Sequence, residues 1–147
     1  MKLTRATPAD AAALAAIHLA ARRAAMPWLP HLHDLGAVEA FLAHVVVARE
    51  TVWIASDAGQ PLGYAAVHEG WLTHLYVAPE HWRRGVGGTL LRRVLETSGT
   101  LQLHVFQPNL AARRFYRAHG FHEAEARAGS HNEEGIPDLR MIRHRPG

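Results

Sequence analysis

The sequence predicts an α+β domain spanning residues 1–147 and built on a mostly antiparallel sheet. Three observations lead there. Strand-like segments joined by short turns occupy the middle of the chain, a glycine-rich passage leads from an apolar strand into an amphipathic helix at 79–91, and strands alternate with one further helix after it. The 147 residues suffice for one core that buries roughly 70% of the surface an unfolded chain would expose.

Lys2 to Ala6 reads as a first strand. Thr7-Pro8-Ala9-Asp10 then supplies an N-cap, a first-turn proline and an acidic residue at the capping-box position, so an alanine-rich helix runs to about Ala25. Pro27 and Pro30 make Met26 to His33 a loop, unusually rich in apolar side chains. A second helix is expected over Leu35 to Val47, with Val38, Phe41, Leu42 and Val45 inward. Thr51 to Ser56 and Pro61 to His68 flank the turn Asp57-Ala58-Gly59-Gln60 as a hairpin, and Trp71 to Val77 continues it into a three-stranded meander. A helix from the glycines to Gly99 carries Val86, Leu90, Leu91, Val94 and Leu95 at helical spacing. Thr100 to Phe106 alternates as a strand, Asn109 caps a helix that Gly120 closes, and Phe121 to Arg127 and Leu139 to His144 form a last strand pair around a long polar loop.

Composition narrows the function. There is no cysteine, so disulfides and thiolate metal sites are excluded. No histidine pair has the spacing of a helical zinc site, and none of the 12 histidines is assigned to a metal. Apolar stretches end well short of the ~20 residues a membrane span needs, and the first residues lack a secretory apolar region, so a cytoplasmic location without membrane contact is expected. All but one of the 16 Lys and Arg residues are arginine, which lifts the pI to about 9.9 at a net charge of only +3. The arginines gather beside the glycine turn (Arg83, Arg84, Arg92, Arg93) and in a second group (Arg113, Arg114, Arg117), as a small anionic ligand would favour. Basic and aromatic residues do not interleave on one face, so nucleic acid is not the expected partner.

The passage Pro79-Glu80-His81-Trp82-Arg83-Arg84-Gly85-Val86-Gly87-Gly88-Thr89 is a place to hold a phosphate. A helix begins within it, and the first N–H groups of a helix lack internal partners and favour an anion. A Walker loop is excluded because the only lysine is Lys2, and a dinucleotide fingerprint because Leu90 stands where its third glycine belongs. The stretch resembles the Q/R-x-x-G-x-G/A motif of the GNAT superfamily of acetyl-CoA-dependent N-acetyltransferases, with Gly85 and Gly87 on the small positions and Trp82 in place of Gln or Arg. Asn109 to Phe121 is similar to a second element of that family, N-x-x-A-x-x-F-Y-x-x-x-G-F, and the element order β-α-α-β-β-β-α-β-α-β-β is also the family's.

That resemblance implies a three-layer arrangement, a mixed sheet with helices on both faces, in which the strands 72–77 and 101–106 splay apart. It implies acetyl-CoA as cosubstrate, with Leu75, Tyr76 and Val77 giving main-chain contacts to its pantetheine arm. The diphosphate would rest on Arg83, Arg84, Gly85, Val86, Gly87, Gly88 and Thr89, with Asn109 and Arg114 near the cofactor's other end. Direct acyl transfer to an amine needs an acid for the departing thiolate and a base for the amine. Tyr116 occupies the family's acid position, and packing on the inner helix face is its alternative role. Glu69 is the favoured base, on the alternation of Trp71 and Thr73, while His74 points to the opposite face of a regular strand. His104, His33, Glu133 and Glu134 are further candidates, and the base stays unassigned. Trp28, His33, Trp71 and Glu133 are expected to meet the acceptor, a small-molecule or peptide amine, with core capping by Trp28 and Leu29 as the alternative for the loop. A homodimer is left open, and a non-catalytic acyl-CoA-binding module is the alternative function.

Overall fold

The computed structural model describes residues 1–146. Strands β1 (Lys2–Arg5), β2 (Thr51–Asp57), β3 (Gln60–His68), β4 (Trp71–Val77), β5 (Leu101–Phe106), β6 (His122–Arg127) and β7 (Asp138–Arg143) form one sheet in the order β1-β2-β3-β4-β5-β7-β6. Every neighbouring pair is antiparallel except β4 and β5, which are parallel. The helices are α1 (Ala11–Ala25), α2 (Leu35–Phe41), α3 (Val47–Arg49), α4 (Val86–Thr97) and α5 (Leu110–Ala118). The expected second helix is α2 and α3 joined by a π-helical turn, Leu42–Val46. Among the described residues no helix is long and apolar enough to cross a membrane.

Local chemistry sets the element boundaries. Thr7 N–H donates to the Asp10 carboxylate (2.8 Å), and a 3₁₀ turn over Pro8–Asp10 leads into α1. Asp34 caps α2 by accepting from Ala37 N–H (2.8 Å). Both hairpins of the meander close through two residues of positive φ, Ala58 (49°) with Gly59 (79°) and Glu69 (49°) with Gly70 (83°). These are the φ signs of a type I′ turn, whose twist suits two-residue hairpins.

The two faces of the sheet carry separate cores. Leu14, Ile17, Val38, Leu42 and Val46 of the helical layer from α1 to α3 pack on Val52, Ile54, Tyr64 and Ala66. On the other face Val86, Leu90, Leu91 and Val94 of α4 pack on Ala65, Leu72, Leu101 and Leu103, with Phe115 and Tyr116 of α5 against the same cluster.

A bulge in β4 decides what faces the first of these layers. Ala66 pairs with His74 and Val67 with Leu72, so Thr73 is an extra residue without a partner on β3. Its hydroxyl is hydrogen-bonded to the Glu50 carboxylate and to the Ala66 carbonyl (3.2 Å). An extra residue reverses the alternation beyond it. His74 and Tyr76 therefore share the α1 face with Tyr64, contrary to the orientation a regular strand predicts for His74.

Leu90 is fully buried at the centre of the α4 core. Leu90→Ala is expected to lower unfolding stability by about 2 to 5 kcal/mol in urea titrations, and a loss below about 1 kcal/mol would show that α4 is not packed as described.

Candidate active site

The only register pair between β4 and β5 is Trp71 with Gln102, backed by Gln102 N–H donating to the Gly70 carbonyl (2.9 Å). Beyond that point the strands separate. A cleft of about 340 Å³ opens between them, lined by Thr73, Leu75 and Tyr76 on one side and His104, Val105 and Phe106 on the other. Asn109 and Tyr116 close its α5 side. Asn109 also caps α5, its side-chain oxygen accepting from Ala112 N–H (3.2 Å).

At the end of β4 the chain turns through a 3₁₀ segment, Pro79–His81, into α4. Arg83 (φ 65°) and Gly85 (φ 78°) are left-handed, and Gly85 is the N-cap. The first helical bond runs from Thr89 N–H to the Gly85 carbonyl (3.0 Å), so the N–H groups of Val86, Gly87 and Gly88 precede any internal acceptor. Trp82, where the family motif has Gln or Arg, donates its indole N–H to the Val77 carbonyl (2.7 Å) and ties this turn to the end of β4. Arg83 and Arg84 are exposed beside it, and Arg114 is exposed on α5. Arg113 and Arg117, grouped with Arg114 in the sequence, both pair with Glu123 instead (2.8 and 2.5 Å).

A second and larger cavity, about 560 Å³, lies between α1, α2 and the loop that joins them. Its walls are mostly apolar, with Met26, Leu29, Val38, Phe41 and Leu42 among them. Glu133 and Glu134 of the polar loop close its far side, where Glu133 meets His33 (3.0 Å) and Glu134 meets Arg22 (3.1 Å). That loop is held in shape by Asn132, whose amide donates to the Ile136 carbonyl (2.6 Å), and by the two-point pair of Arg127 with buried Asp138 (2.8 Å each). Arg22, Met26, His74 and Glu134 line both cavities, which therefore meet.

Buried polar groups cluster at this junction. The Tyr64 hydroxyl, fully inside, contacts His18 Nδ1 (3.1 Å) and His74 Nδ1 (3.0 Å), and Arg22 donates to the Tyr76 hydroxyl (3.0 Å). Burial first, then the charges around it, lowers His18 to about 3. Burial and Arg22 lower His74 to about 4. Both rings are neutral at pH 7, as desolvation of a cation requires. Burial, and secondarily Tyr76, pushes Tyr116 well above the usual phenol range, so it keeps its proton.

The sequence-derived candidates divide accordingly. Leu75, Tyr76, Asn109 and Tyr116 border the inner cleft, Val77 ends the strand that forms its wall, and His33 and Glu133 border the outer cavity. Glu69 does not reach either. It sits in the β3–β4 hairpin turn with its side chain 81% exposed, at the end where β4 and β5 are still paired. Trp71 is not at the acceptor cavity but stacks on His104 (4.8 Å) beside that pairing. Trp28 lies outside both linings, 40% exposed and edge-on to Phe106 (6.1 Å). His18, Arg22 and Tyr64 were not singled out from the sequence. His18 and Arg22 stand four apart among Leu14, Ile17 and Ala21, and Tyr64 places a hydroxyl in an apolar strand that needs a buried partner, so a signal was present.

Residues 14–121 match the model of the Acetyltransferase (GNAT) family. The chain belongs to the GNAT acetyltransferase family. Peptidyl-lysine N-acetyltransferase YiaC of Escherichia coli K12 is 39% identical over 71 residues, 48% of this chain and 49% of that one. The chain thus spans about half the length of the curated relatives it matches. Among solved structures, ribosomal-protein-alanine N-acetyltransferase from Brucella melitensis superposes with a TM-score of 0.78 at 25% identity, covering 98% of this chain and 99% of that one. YncA of Salmonella typhimurium, solved with its cofactor acetyl-CoA, shares the GNAT fold with a TM-score of 0.77 at 21% identity, covering 100% of this chain and 95% of that one.

The two depressed histidines make a pH prediction. Each binds a proton in the unfolded chain below its ordinary value of 6.5 but not in the folded one until about pH 3 to 4. Their contribution is complete above pH 6.5 and is lost as pH falls toward 4, by about 1.4 kcal/mol per pH unit for each ring. Urea titrations from pH 7 to 4 should show this slope and should show it reduced in His74→Asn. An equal slope in that variant would contradict the burial of His74.

Proposed function

We propose that the chain is an N-acetyltransferase that moves the acetyl group of acetyl-CoA to a small-molecule or peptide amine by direct attack within a ternary complex. The observation that carries the proposal is the meeting of the two cavities at Arg22, Met26, His74 and Glu134, which gives an acceptor in one direct access to a thioester in the other.

The residues fit acetyl-CoA. The parted edges of β4 and β5 leave the backbone groups of Leu75 and the Val77 N–H available to an extended amide-bearing arm, while Tyr76, whose main chain pairs with Tyr64 on β3, borders the arm with its side chain. The N–H groups of Val86, Gly87 and Gly88, with Arg83, Arg84 and Thr89 around them, suit a diphosphate. A Gly85 side chain would impose strain at φ 78°. Asn109 lines the α5 side of the same cleft, and Arg114 is exposed on α5 for the cofactor's other end. The cofactor supplies an activated acetyl group, and the protein must orient the amine, take its proton and protonate the leaving sulfur.

Glu134 holds an ammonium at the junction, Glu133 adds negative charge in the outer cavity beside it, and the apolar walls of that cavity take the rest of the acceptor. His74 Nε2 takes one proton from the ammonium before attack, which frees the nitrogen lone pair, since its Nδ1 is engaged by Tyr64 and the ring is neutral; the second proton, lost from nitrogen after attack, balances the one given to the sulfur. Tyr116, in the inner cleft with its proton retained, donates to the sulfur. Buried charge and dipoles at the junction act in a dry environment, where they weigh more than in water. The non-catalytic module is not favoured, because a neutral imidazole at the junction and a protonated phenol in the inner cleft are groups of the kinds the reaction requires.

Tyr116→Phe is expected to lower kcat on the best amine of a panel by about 10- to 100-fold, measured by thiol release, with acetyl-CoA affinity changed less than about 2-fold. An unchanged kcat would remove Tyr116 from the acid role. Acetyl-CoA binding without turnover on any amine would favour the module.

A further inference from the structure

The walls of the outer cavity limit what can fill it. Its volume of about 560 Å³ lies within the roughly 300–1,000 Å³ of ordinary small-molecule sites. Met26, Leu29, Val38 and Leu42 give it a buried apolar floor, and Leu32 and Phe41, 47% and 50% exposed, carry the apolar surface out to solvent. Val38, Phe41 and Leu42 stand at helical spacing on one face of α2. At Leu42 the helix passes into the π-helical turn, a distortion that recurs at functional sites.

Charge in the cavity is sparse and unequal. Among the described residues its lining holds two carboxylates, Glu133 and Glu134, and a single guanidinium, Arg22. Arg22 pairs with Glu134 (3.1 Å) and also donates to the Tyr76 hydroxyl, whereas Glu133 meets only the His33 imidazole (3.0 Å). One added cation would balance the excess. An added carboxylate would find no open partner, because Arg22 is engaged as described and Arg127, the arginine lining the inner cleft, is held at two points by Asp138 (2.8 Å each). The buried rings of His18 and His74 are neutral and add no positive charge.

We propose that the outer cavity selects a small acceptor with one ammonium group and an extended apolar body, and discriminates against diamines, amino acids and the lysine side chains of peptides. The acetyltransfer reading supplies the fate of that amine, and on that point the proposal rests on it; the fit of the amine does not. With the ammonium at Glu134, the body of the acceptor runs along Leu29, Val38 and Phe41. A second ammonium or a carboxylate at its far end would be set against those side chains, where an unpaired charge is costly. A peptide would bring N–H and C=O groups that these side chains cannot satisfy.

A set of linear amines tests the selection. Hexylamine, 1,6-diaminohexane and 6-aminohexanoate carry the reacting amine on a carbon chain of one length and end in a methyl, a second ammonium and a carboxylate. With acetyl-CoA, kcat/KM for hexylamine is expected to exceed that for either of the others, and for a lysine-containing peptide, by about 100-fold. A difference below about 3-fold, or a preference for the diamine or the peptide, would overturn the proposal. Phe41 is half exposed, so Phe41→Glu is compatible with the fold, and it is expected to raise the diamine relative to hexylamine by about 10-fold. An unchanged ratio would overturn the path assigned to the acceptor. Calorimetry of hexylamine on the CoA-saturated chain gives a reading without turnover: binding with a negative heat-capacity change, weakened about 10-fold or more in Glu134→Gln, is expected. If hexylamine binds in this way and no amine is acetylated, the acetyltransfer reading falls and the selection stands. If amines are acetylated without preference for hexylamine, that reading stands and the selection falls.

Discussion

The structure depends on one interrupted ladder. β4 and β5 start side by side at Trp71 and Gln102 and then part, so two central strands of a seven-stranded sheet leave facing edges unpaired. Unpaired backbone groups inside a protein are costly, and a sheet does not give up a central ladder without compensation. Here the cores on the two faces hold the strands apart. β4 is fixed to β3 and α1, β5 is fixed to β7, and α5 fills the α4 side of the gap with Phe115 and Tyr116. The cleft is thus a consequence of packing elsewhere, and its open edges suit the extended amide-bearing arm proposed for it.

The same separation determines where charge can exist. The outer cavity reaches the cleft only at the junction, and the groups collected there are neutral or paired. Burial keeps His18 and His74 uncharged, Tyr64 binds both, and Arg22 spends its donors on Tyr76 and Glu134. An amine arriving there leaves bulk water for a site in which a proton has few places to rest. In the proposed reaction, the electrostatics of the junction couple proton movement to acyl transfer.

Much of this was legible in the sequence, for local reasons. Thr7 with Asp10, Asp57 to Gln60, Gly85 and Asn109 mark element ends through their own side chains or backbone freedom, and the elements they delimit fall where expected. The glycine turn suggested a phosphate-type site because helix N-termini favour anions whatever the rest of the fold does. What escaped was non-local. Thr73 bulges because Glu50 and Ala66 hold it, and no alternation pattern contains that information, so His74 was placed on the wrong face and Glu69 preferred. The junction draws on α1, β3, β4 and the loop before β7, and only tertiary contact brings His18, Tyr64, His74 and Glu134 to one point. Trp71 and Trp28 looked like acceptor contacts because aromatic surface near a cleft is the usual sign of one. Here Trp71 stacks on His104, Trp28 meets Phe106 edge-on, and neither lines the outer cavity.

Backbone hydrogen exchange, read residue by residue with and without acetyl-CoA, tests the central claim most directly. The account predicts that Leu75 and Val77, the unpaired part of β5 and Val86 to Gly88 gain protection when acetyl-CoA is added, while β1 and β6 stay unchanged. Strong protection of β4 and β5 against each other before any ligand is added, or no response at those amides to saturating acetyl-CoA, would contradict it.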